Sequence, residues 1–213
     1  KKDLRSVVRE IEVKLLSNHA YELVGNQLMD FWKQDGLTEI EESIEANPIE
    51  WKMNDMLLED ENEGKIKIDR SPVFVGCVSN FTNFLDLFRK TLRSLELGIP
   101  ILILSRSDVA QHSFRWFQLL QKLITESNKT NSVKIPESYL SMLSVSIPDV
   151  QRIFRETNAS NPMHITCSRE LAKEIKSVKT NLFASTGGPN TMITNDFKKS
   201  LDAIRVSARI ENA

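Results

Sequence analysis

The sequence has few of the residues that build metal centres and disulfide frameworks. Only 2 of its 213 residues are cysteine and only 3 are histidine. Cys77 and Cys167 lie far apart, and the sequence contains no CxxC motif and no cluster of cysteine with histidine. This pattern argues against a metal site. It also predicts reduced thiols in an intracellular protein, either cytoplasmic or in an organellar matrix.

A strong excess of one charge and long apolar runs are missing as well. Lysine and arginine total 28 against 29 for aspartate and glutamate, which leaves a net charge of −1. A balanced charge argues against a nucleic-acid partner, because such proteins concentrate basic residues. The apolar runs fall short of the roughly 20 residues that a membrane-spanning helix needs. The sequence therefore predicts no membrane span.

Glycine is also scarce, with seven residues in the chain, so the adjacent pair Gly187-Gly188 in "NLFASTGGPNTMI" (181–193) is informative. A glycine pair marks a sharp turn or a place where the backbone lets another group come close. Two interpretations stay open at this point: a plain turn between two short strands, or one wall of a binding site.

The first 70 residues have the pattern of helices followed by a charged connection. Apolar residues recur at spacings of three and four, as at Val7, Val8, Ile11 and Leu15, which is typical of amphipathic helices. The acidic stretch ends at Asn47-Pro48, and "EDENEGK" (59–65) reads as an exposed loop. Residues 1–70 are thus predicted to be an N-terminal helical segment with an acidic loop.

From residue 71 to residue 213 the pattern changes to strands that alternate with helices. Strands are predicted at 72–78, 101–104, 143–147 and 163–166, with a surface loop at 125–138. Helices are predicted at 83–97, from about 108 to 124, from 148 to about 154, at 168–178 and at 195–211. This alternation predicts an α/β fold with a parallel, dinucleotide-binding-type sheet that helices cover on both faces.

Ligands of such sheets bind beyond the carboxyl ends of the strands. Four segments are therefore of interest, and they span residues 79–83, 105–108, 167–169 and 185–190. In order, they resemble the cofactor-binding half of the aldehyde dehydrogenase superfamily. The family has Pro-Trp-Asn-Phe-Pro in the first segment, Leu-Lys-Pro-Ser-Glu across the second, Phe-Thr-Gly-Ser across the third and Glu-(Leu/Thr)-Gly-Gly-x-Asn in the last. The resemblance covers residues 72–213, and the Thr-Gly-Gly-x-Asn form is similar to the pyrroline-5-carboxylate dehydrogenase branch.

The resemblance implies particular roles for residues of this chain. Ser185 occupies the position of the family's general base, a glutamate, and Thr82, or Asn83 if the loop is shifted by one, occupies the oxyanion position. Ser105 replaces a lysine, whereas Cys167 and Ala172 replace glycines. The cofactor-binding positions are Ser79, Asn80, Ser105, Ser107, Asp108, Cys167, Ser168 and Gly187.

The resemblance also implies NAD or NADP as cofactor, a small aldehyde as substrate, and NAD(P)-linked aldehyde oxidation by an intact protein. The family's nucleophilic cysteine would follow Ala213, so 71–213 is expected to be a NAD-binding domain that stops before the catalytic domain. Residues 1–213 alone are predicted to be inactive, because serine has no accessible pKa for base catalysis.

Several alternatives stay open. The chain is a degenerate member, a pseudoenzyme that acts as a homo-oligomer or as a structural or assembly subunit of a larger complex, or it is an unrelated α/β binding module. Whether NAD(P) binding is retained also stays open. His19 and His112, on helices, are predicted to lie at the surface.

Overall fold

The computed structural model describes residues 3–31, 36–77, 84–107, 110–157 and 161–186. Three helices come first, and an alternation of strands and helices follows. The elements are α1 (Leu4–Ser17), α2 (Ala20–Phe31), α3 (Gly36–Asn62), β1 (Val73–Cys77), α4 (Phe84–Glu96), β2 (Ile101–Arg106), α5 (Ala110–Thr130), β3 (Leu140–Val145), α6 (Ile147–Glu156), β4 (Met163–Thr166), α7 (Arg169–Val178) and β5 (Leu182–Ser185).

The five strands form one parallel sheet in the order β3-β2-β1-β4-β5. The first strand, β1, lies in the middle of the sheet. Strands β2 and β3 follow on one side of it, and β4 and β5 lie on the other side. The order therefore reverses between β1 and β4, and at such a switch point a crevice opens at the carboxyl ends of the strands. The predicted fold class, an α/β sheet of the dinucleotide-binding type, is confirmed.

Alternate residues of the strands supply two separate cores, as the twofold period of a strand requires. On one face, Val75 and Ile103 belong to a cluster that includes buried residues of α1, α4 and α5, such as Leu92 and Leu120. On the other face, Phe74 and residues of β4 pack with the buried side chains of α6 and α7. Helices thus cover the sheet on both faces. Helices α2 and α3 pack against α1, α4 and α5, the helices of the first cluster.

A network of ion pairs around two buried glutamates joins α1 to α4, and Trp51 connects α3 to this network by a hydrogen bond. The carboxylate of Glu12 accepts hydrogen bonds from Trp51 Nε1 (2.9 Å) and from Arg93. The carboxylate of Glu96 accepts from Arg9 Nη2 (3.1 Å) and forms an ion pair with Arg93 (3.0 Å). Both glutamates are buried, and burial raises the pKa of Glu96 despite the two arginines. The network fixes the inner side of α3.

Two predicted loops are wrong in part, because the helix before each of them runs into it. Helix α3 continues through Pro48 and ends at Asn62, so the start of the predicted loop 59–65 is helical. A proline removes one helical hydrogen bond, but buried Asn47 and Asn54 on either side of it face the neighbouring helices. Tertiary packing therefore outweighs the local penalty.

Helix α5 also extends further than predicted, to Thr130, so the first part of the predicted loop 125–138 is helical. The side chain of Asn128 then holds the backbone of Ile135, with which it exchanges two hydrogen bonds of 2.8 and 2.9 Å. Strand β3 begins at Leu140, three residues before the predicted start. The predicted helix 195–211 and the pair Gly187-Gly188 lie outside the described residues.

Candidate functional site

A lysine connects the carboxyl ends of two strands next to the switch point. The Nζ atom of Lys90, on α4, donates to Thr166 Oγ1 at the end of β4 (2.8 Å) and to Ser185 Oγ at the end of β5 (3.4 Å). Thr166 and Ser185 are register partners across the two strands. We call these three residues the Lys90 cluster, which consists of one ammonium group and two hydroxyl groups.

Ser185 is the member of the cluster that the sequence singled out. Its side chain is exposed at the carboxyl end of the edge strand β5. A serine hydroxyl does not take up a proton near neutral pH, and a neighbouring ammonium does not make it more basic. The local charge of the Lys90 cluster suits an anion and does not suit general base catalysis.

The two neighbouring positions after β4 use their polar groups within the fold. The hydroxyl of Ser168 accepts from the backbone N–H of Leu171 (3.2 Å) and caps the N-terminus of α7. The backbone N–H of Cys167 donates to the Ser185 carbonyl (3.1 Å), which extends the β4–β5 pairing to the edge of the sheet. The Cys167 side chain lies in the core, and burial raises the pKa of its thiol above the ordinary value, against the opposing effect of Lys90.

The predicted cofactor positions Ser105 and Ser107 lie in two different environments. The prediction placed Ser105 after the second strand, but β2 continues to Arg106, so Ser105 is part of the strand. Ser105 is fully buried and its Oγ lies 3.0 Å from Ser113 Oγ on α5. Ser107 lies exposed in the turn after β2. The structure does not bring either residue into the Lys90 cluster. The remaining predicted positions, Ser79, Asn80, Thr82, Asn83, Asp108 and Gly187, lie outside the described residues, and their roles stay predictions.

A histidine lies two register pairs away from the cluster. The ring of His164 stacks on the ring of Phe183, with centroids 5.0 Å apart and planes at 21°. Burial lowers the pKa of His164, and the charge of Lys90 lowers it further. The imidazole is therefore neutral near pH 7, where a stacked ring avoids the cost of a buried charge.

The prediction that His112 lies at the surface is wrong. His112 is buried, and its Nδ1 atom lies 3.1 Å from Asp30 Oδ2 on α2. The sequence could not show this pair, because 82 residues separate its members and only the packing of α2 against α5 joins them. Burial lowers the pKa of His112 in spite of the nearby aspartate.

Lys90 is the functional candidate that the sequence analysis missed. The sequence did contain a signal for Lys90. It lies in the helix that follows β1, and the first turns of such a helix lie near the carboxyl edge of the sheet, where ligands bind. Lys90 is also three residues after buried Leu87, and neighbours at this spacing share one face of a helix.

The phosphates of a dinucleotide are anions, so a site for them at the carboxyl edge of the sheet needs positive charge or free backbone N–H groups. Helix α7 begins at Arg169, directly after β4, and a helix N-terminus favours phosphate. The Lys90 ammonium adds a positive charge, although the amide of Cys167 is already used in the sheet. The charge of the described residues at this edge therefore fits a phosphate.

Neither a metal site nor a membrane span is found in the described part of the chain. No group of three His, Cys, Asp or Glu residues there could hold a metal ion, and no helix there is long and apolar enough to span a membrane.

No family model matches the sequence, and no curated protein matches it either. Solved structures do match the fold. A probable aldehyde dehydrogenase from Listeria monocytogenes matches with 12% identity and a TM-score of 0.66, over 84% of this chain and 40% of that chain.

A second match is glyceraldehyde-3-phosphate dehydrogenase from Methanocaldococcus jannaschii complexed with NADP, at 18% identity and a TM-score of 0.55, over 87% of this chain and 40% of that chain. Gamma-glutamyl phosphate reductase from Thermotoga maritima matches at 14% identity and a TM-score of 0.54, over 86% of this chain and 48% of that chain. This chain thus spans less than half the length of each of these structures. At such identities the likeness is one of fold, which this chain shares with part of each of these structures.

Proposed function

We propose that this chain is the dinucleotide-binding part of an aldehyde-dehydrogenase-like protein, and that residues 1–213 bind NAD or NADP without oxidising aldehydes. The observation that carries this proposal is the Lys90 cluster, in which an ammonium group faces Ser185 at the position of the family's base. A cation at this edge favours an anionic cofactor, whereas the hydroxyl gives no base.

Three features support cofactor binding. The order of the strands reverses between β1 and β4, and ligands of parallel sheets bind at such a switch point. Helix α7 directs its N-terminus towards the carboxyl edge, and Lys90 lies at the same edge. The matched glyceraldehyde-3-phosphate dehydrogenase carries NADP. When bound, the nicotinamide group accepts a hydride. The groups of this chain that would hold the phosphates are the Lys90 ammonium and the N-terminus of α7.

Two features argue against catalysis by these residues alone. Ser185 cannot activate water as a carboxylate does. Aldehyde oxidation in the family uses a cysteine thiolate, and the thiol of Cys167 is buried with a raised pKa. For an intact protein in which further residues supply the nucleophile, we propose NAD(P)-linked oxidation of a small aldehyde.

Titration of NAD and NADP into the purified chain, followed by isothermal calorimetry, tests the first half of the proposal. We expect a Kd below about 0.1 mM, and at least about tenfold weaker binding in a Lys90→Met variant. Lys122→Met, which removes an exposed lysine of α5, is the matched control and should bind as the wild type does. Absent binding, or equal binding by the Lys90 variant, contradicts the proposal.

The second half is tested by incubating the chain and NAD(P) with a panel of aldehydes that includes pyrroline-5-carboxylate. We expect no NAD(P)H formation. Steady formation of NAD(P)H by residues 1–213 would show that the missing base and thiolate are not required.

A second candidate function is that of a structural or assembly subunit. The observation that favours it is an exposed set of apolar side chains on α3, which differs from the sparse exposed apolar residues of the sheet layer. Loss of NAD(P) binding together with retained binding of a partner protein would favour this second function over the first.

A further inference from the structure

Helix α3 exposes four large apolar side chains on one side. The exposed fractions are 67% for Ile49, 60% for Met53, 55% for Met56 and 40% for Leu57. Their spacing of three and four residues places them along a single stripe over more than two helical turns. We call this stripe the α3 outer face.

The α3 outer face points away from the helices on which α3 packs. Buried Asn47 and Asn54 come two residues before Ile49 and Met56, and two residues turn a helix by about 200°. The stripe therefore lies opposite the side that packs on α1 and α4. Isolated exposed apolar residues are normal, but a continuous stripe of this kind marks an interaction surface.

The side opposite the stripe is held rigidly. The Trp51 ring lies under the guanidinium groups of Arg9 and Arg93, at 5.3 and 6.0 Å from the ring centroid. Both arginines also pair with buried Glu96. A surface on such a fixed helix loses little conformational entropy when a partner binds, because its backbone is already ordered.

Exposed acidic residues flank the stripe at both ends. Glu41, Glu42 and Glu45 precede it and Glu59 follows it, all four exposed. Among the residues that the structure describes, none forms an ion pair with these four carboxylates, whereas other acidic residues of α3 are paired with arginine or lysine. Lys52 is the one basic residue of the helix. Negative charge is thus concentrated beside the apolar stripe in a chain that is nearly neutral overall.

We propose that the α3 outer face binds an amphipathic helix of a partner protein, with an apolar stripe and flanking lysine or arginine residues. The apolar residues would pack on Ile49, Met53 and Met56, and methionine adapts its shape to differing partners. The basic residues would lie against the acidic ends of the stripe, which favours this partner over others by charge complementarity.

A second copy of the chain fits this surface poorly. If two α3 helices packed face to face and antiparallel, Glu42 and Glu45 of one copy would lie opposite Glu59 of the other. Like charges placed together at an interface oppose association. The proposal rests on the second candidate function, the assembly subunit, and is independent of NAD(P) binding, so the calorimetric titration and the experiment below can fail separately.

The test uses two synthetic helical peptides of about 18 residues, or five turns, with the same leucine face. One carries lysine on its polar face and the other carries glutamate. Binding to the full chain is followed by fluorescence anisotropy of the labelled peptide at two salt concentrations. We expect the lysine peptide to bind at least about tenfold more tightly than the glutamate peptide, and less tightly at high salt.

Two variants connect binding to the α3 outer face. Met53→Glu should weaken binding of the lysine peptide at least about tenfold, whereas Phe114→Glu, an equally drastic change at an exposed residue of α5, should leave it unchanged. Circular dichroism confirms that both variants are folded, as expected for exposed positions. Equal binding by wild type and Met53→Glu, or equal binding of the two peptides, overturns the proposal. A wild-type dimer that Met53→Glu dissociates in light scattering also overturns it, in favour of a second copy as the occupant.

Discussion

Replacing Ser185 with glutamate places a carboxylate where the resemblance puts the family's base, and the structure indicates why this change should not give a working base. The Nζ atom of Lys90 lies 3.4 Å from the Ser185 hydroxyl. A carboxylate introduced at this place can form an ion pair with the ammonium without a change in the backbone. The pair would stabilise the ionised carboxylate and so lower its pKa.

The size of this effect follows from the exposure of the site. Ser185 is exposed, and ion pairs at exposed sites stabilise by about 0–1 kcal/mol. One pKa unit corresponds to about 1.4 kcal/mol, so the new carboxylate should have a pKa up to roughly 0.7 units below that of an unpaired glutamate. A weaker base transfers protons less effectively, because general base catalysis is best when the pKa is near the working pH.

The assay is a carbon-13 NMR titration of the new carboxylate in Ser185→Glu and in the double variant Ser185→Glu, Lys90→Met. We expect the pKa to be higher in the double variant, by up to roughly 0.7 units at low salt, and the difference to shrink at high salt. Neither variant of residues 1–213 should produce NAD(P)H from aldehydes. The same pKa in both variants would show that Lys90 does not contact this position, which would refute the Lys90 cluster.

Three further predictions concern stability and reactivity. Burial lowers the pKa of both His112 and His164 in the folded protein, so these side chains bind protons more readily in the unfolded chain. The free energy of unfolding should therefore fall as the pH drops below about 6.5. Urea denaturation at a series of pH values measures this, and greater stability on acidification through that range would contradict it. Glu96→Ala removes one buried partner from Arg9 and Arg93, which keep Asp55 and Glu12, and should destabilise by about 1–3 kcal/mol. Glu59→Ala at an exposed position should have little effect in the same assay; equal effects would contradict the network. Cys167 should resist alkylation in the native protein, because it is buried and its thiol pKa is raised, and mass spectrometry should find it modified only after denaturation; rapid native labelling would refute this.

The local sequence pattern was sufficient for the class of the fold and for several of its elements. Strand β4 lies at the predicted residues 163–166, because alternating apolar residues there are buried on one face. Gly98 ends the helix before β2 with a φ of +74°, a conformation that glycine adopts without strain. Such features depend on neighbours in sequence, which is why the sequence could predict them.

The candidate site was predicted less completely, because its contacts are long-range. The sequence identified Ser185 as a position without a base, through resemblance. It did not identify Lys90, which lies 95 residues earlier and reaches Ser185 only after α4 packs on the sheet. The burial of His112 depends in the same way on α2 and α5.

The sequence by itself determined where strands and helices alternate, because apolar spacing acts within a few residues. Only the tertiary structure decided the order of the strands, the continuation of α3 through Pro48, and the meeting of Lys90 with Thr166 and Ser185. These features depend on which helices and strands pack together, since the burial of apolar area and of paired charges outweighs local preference.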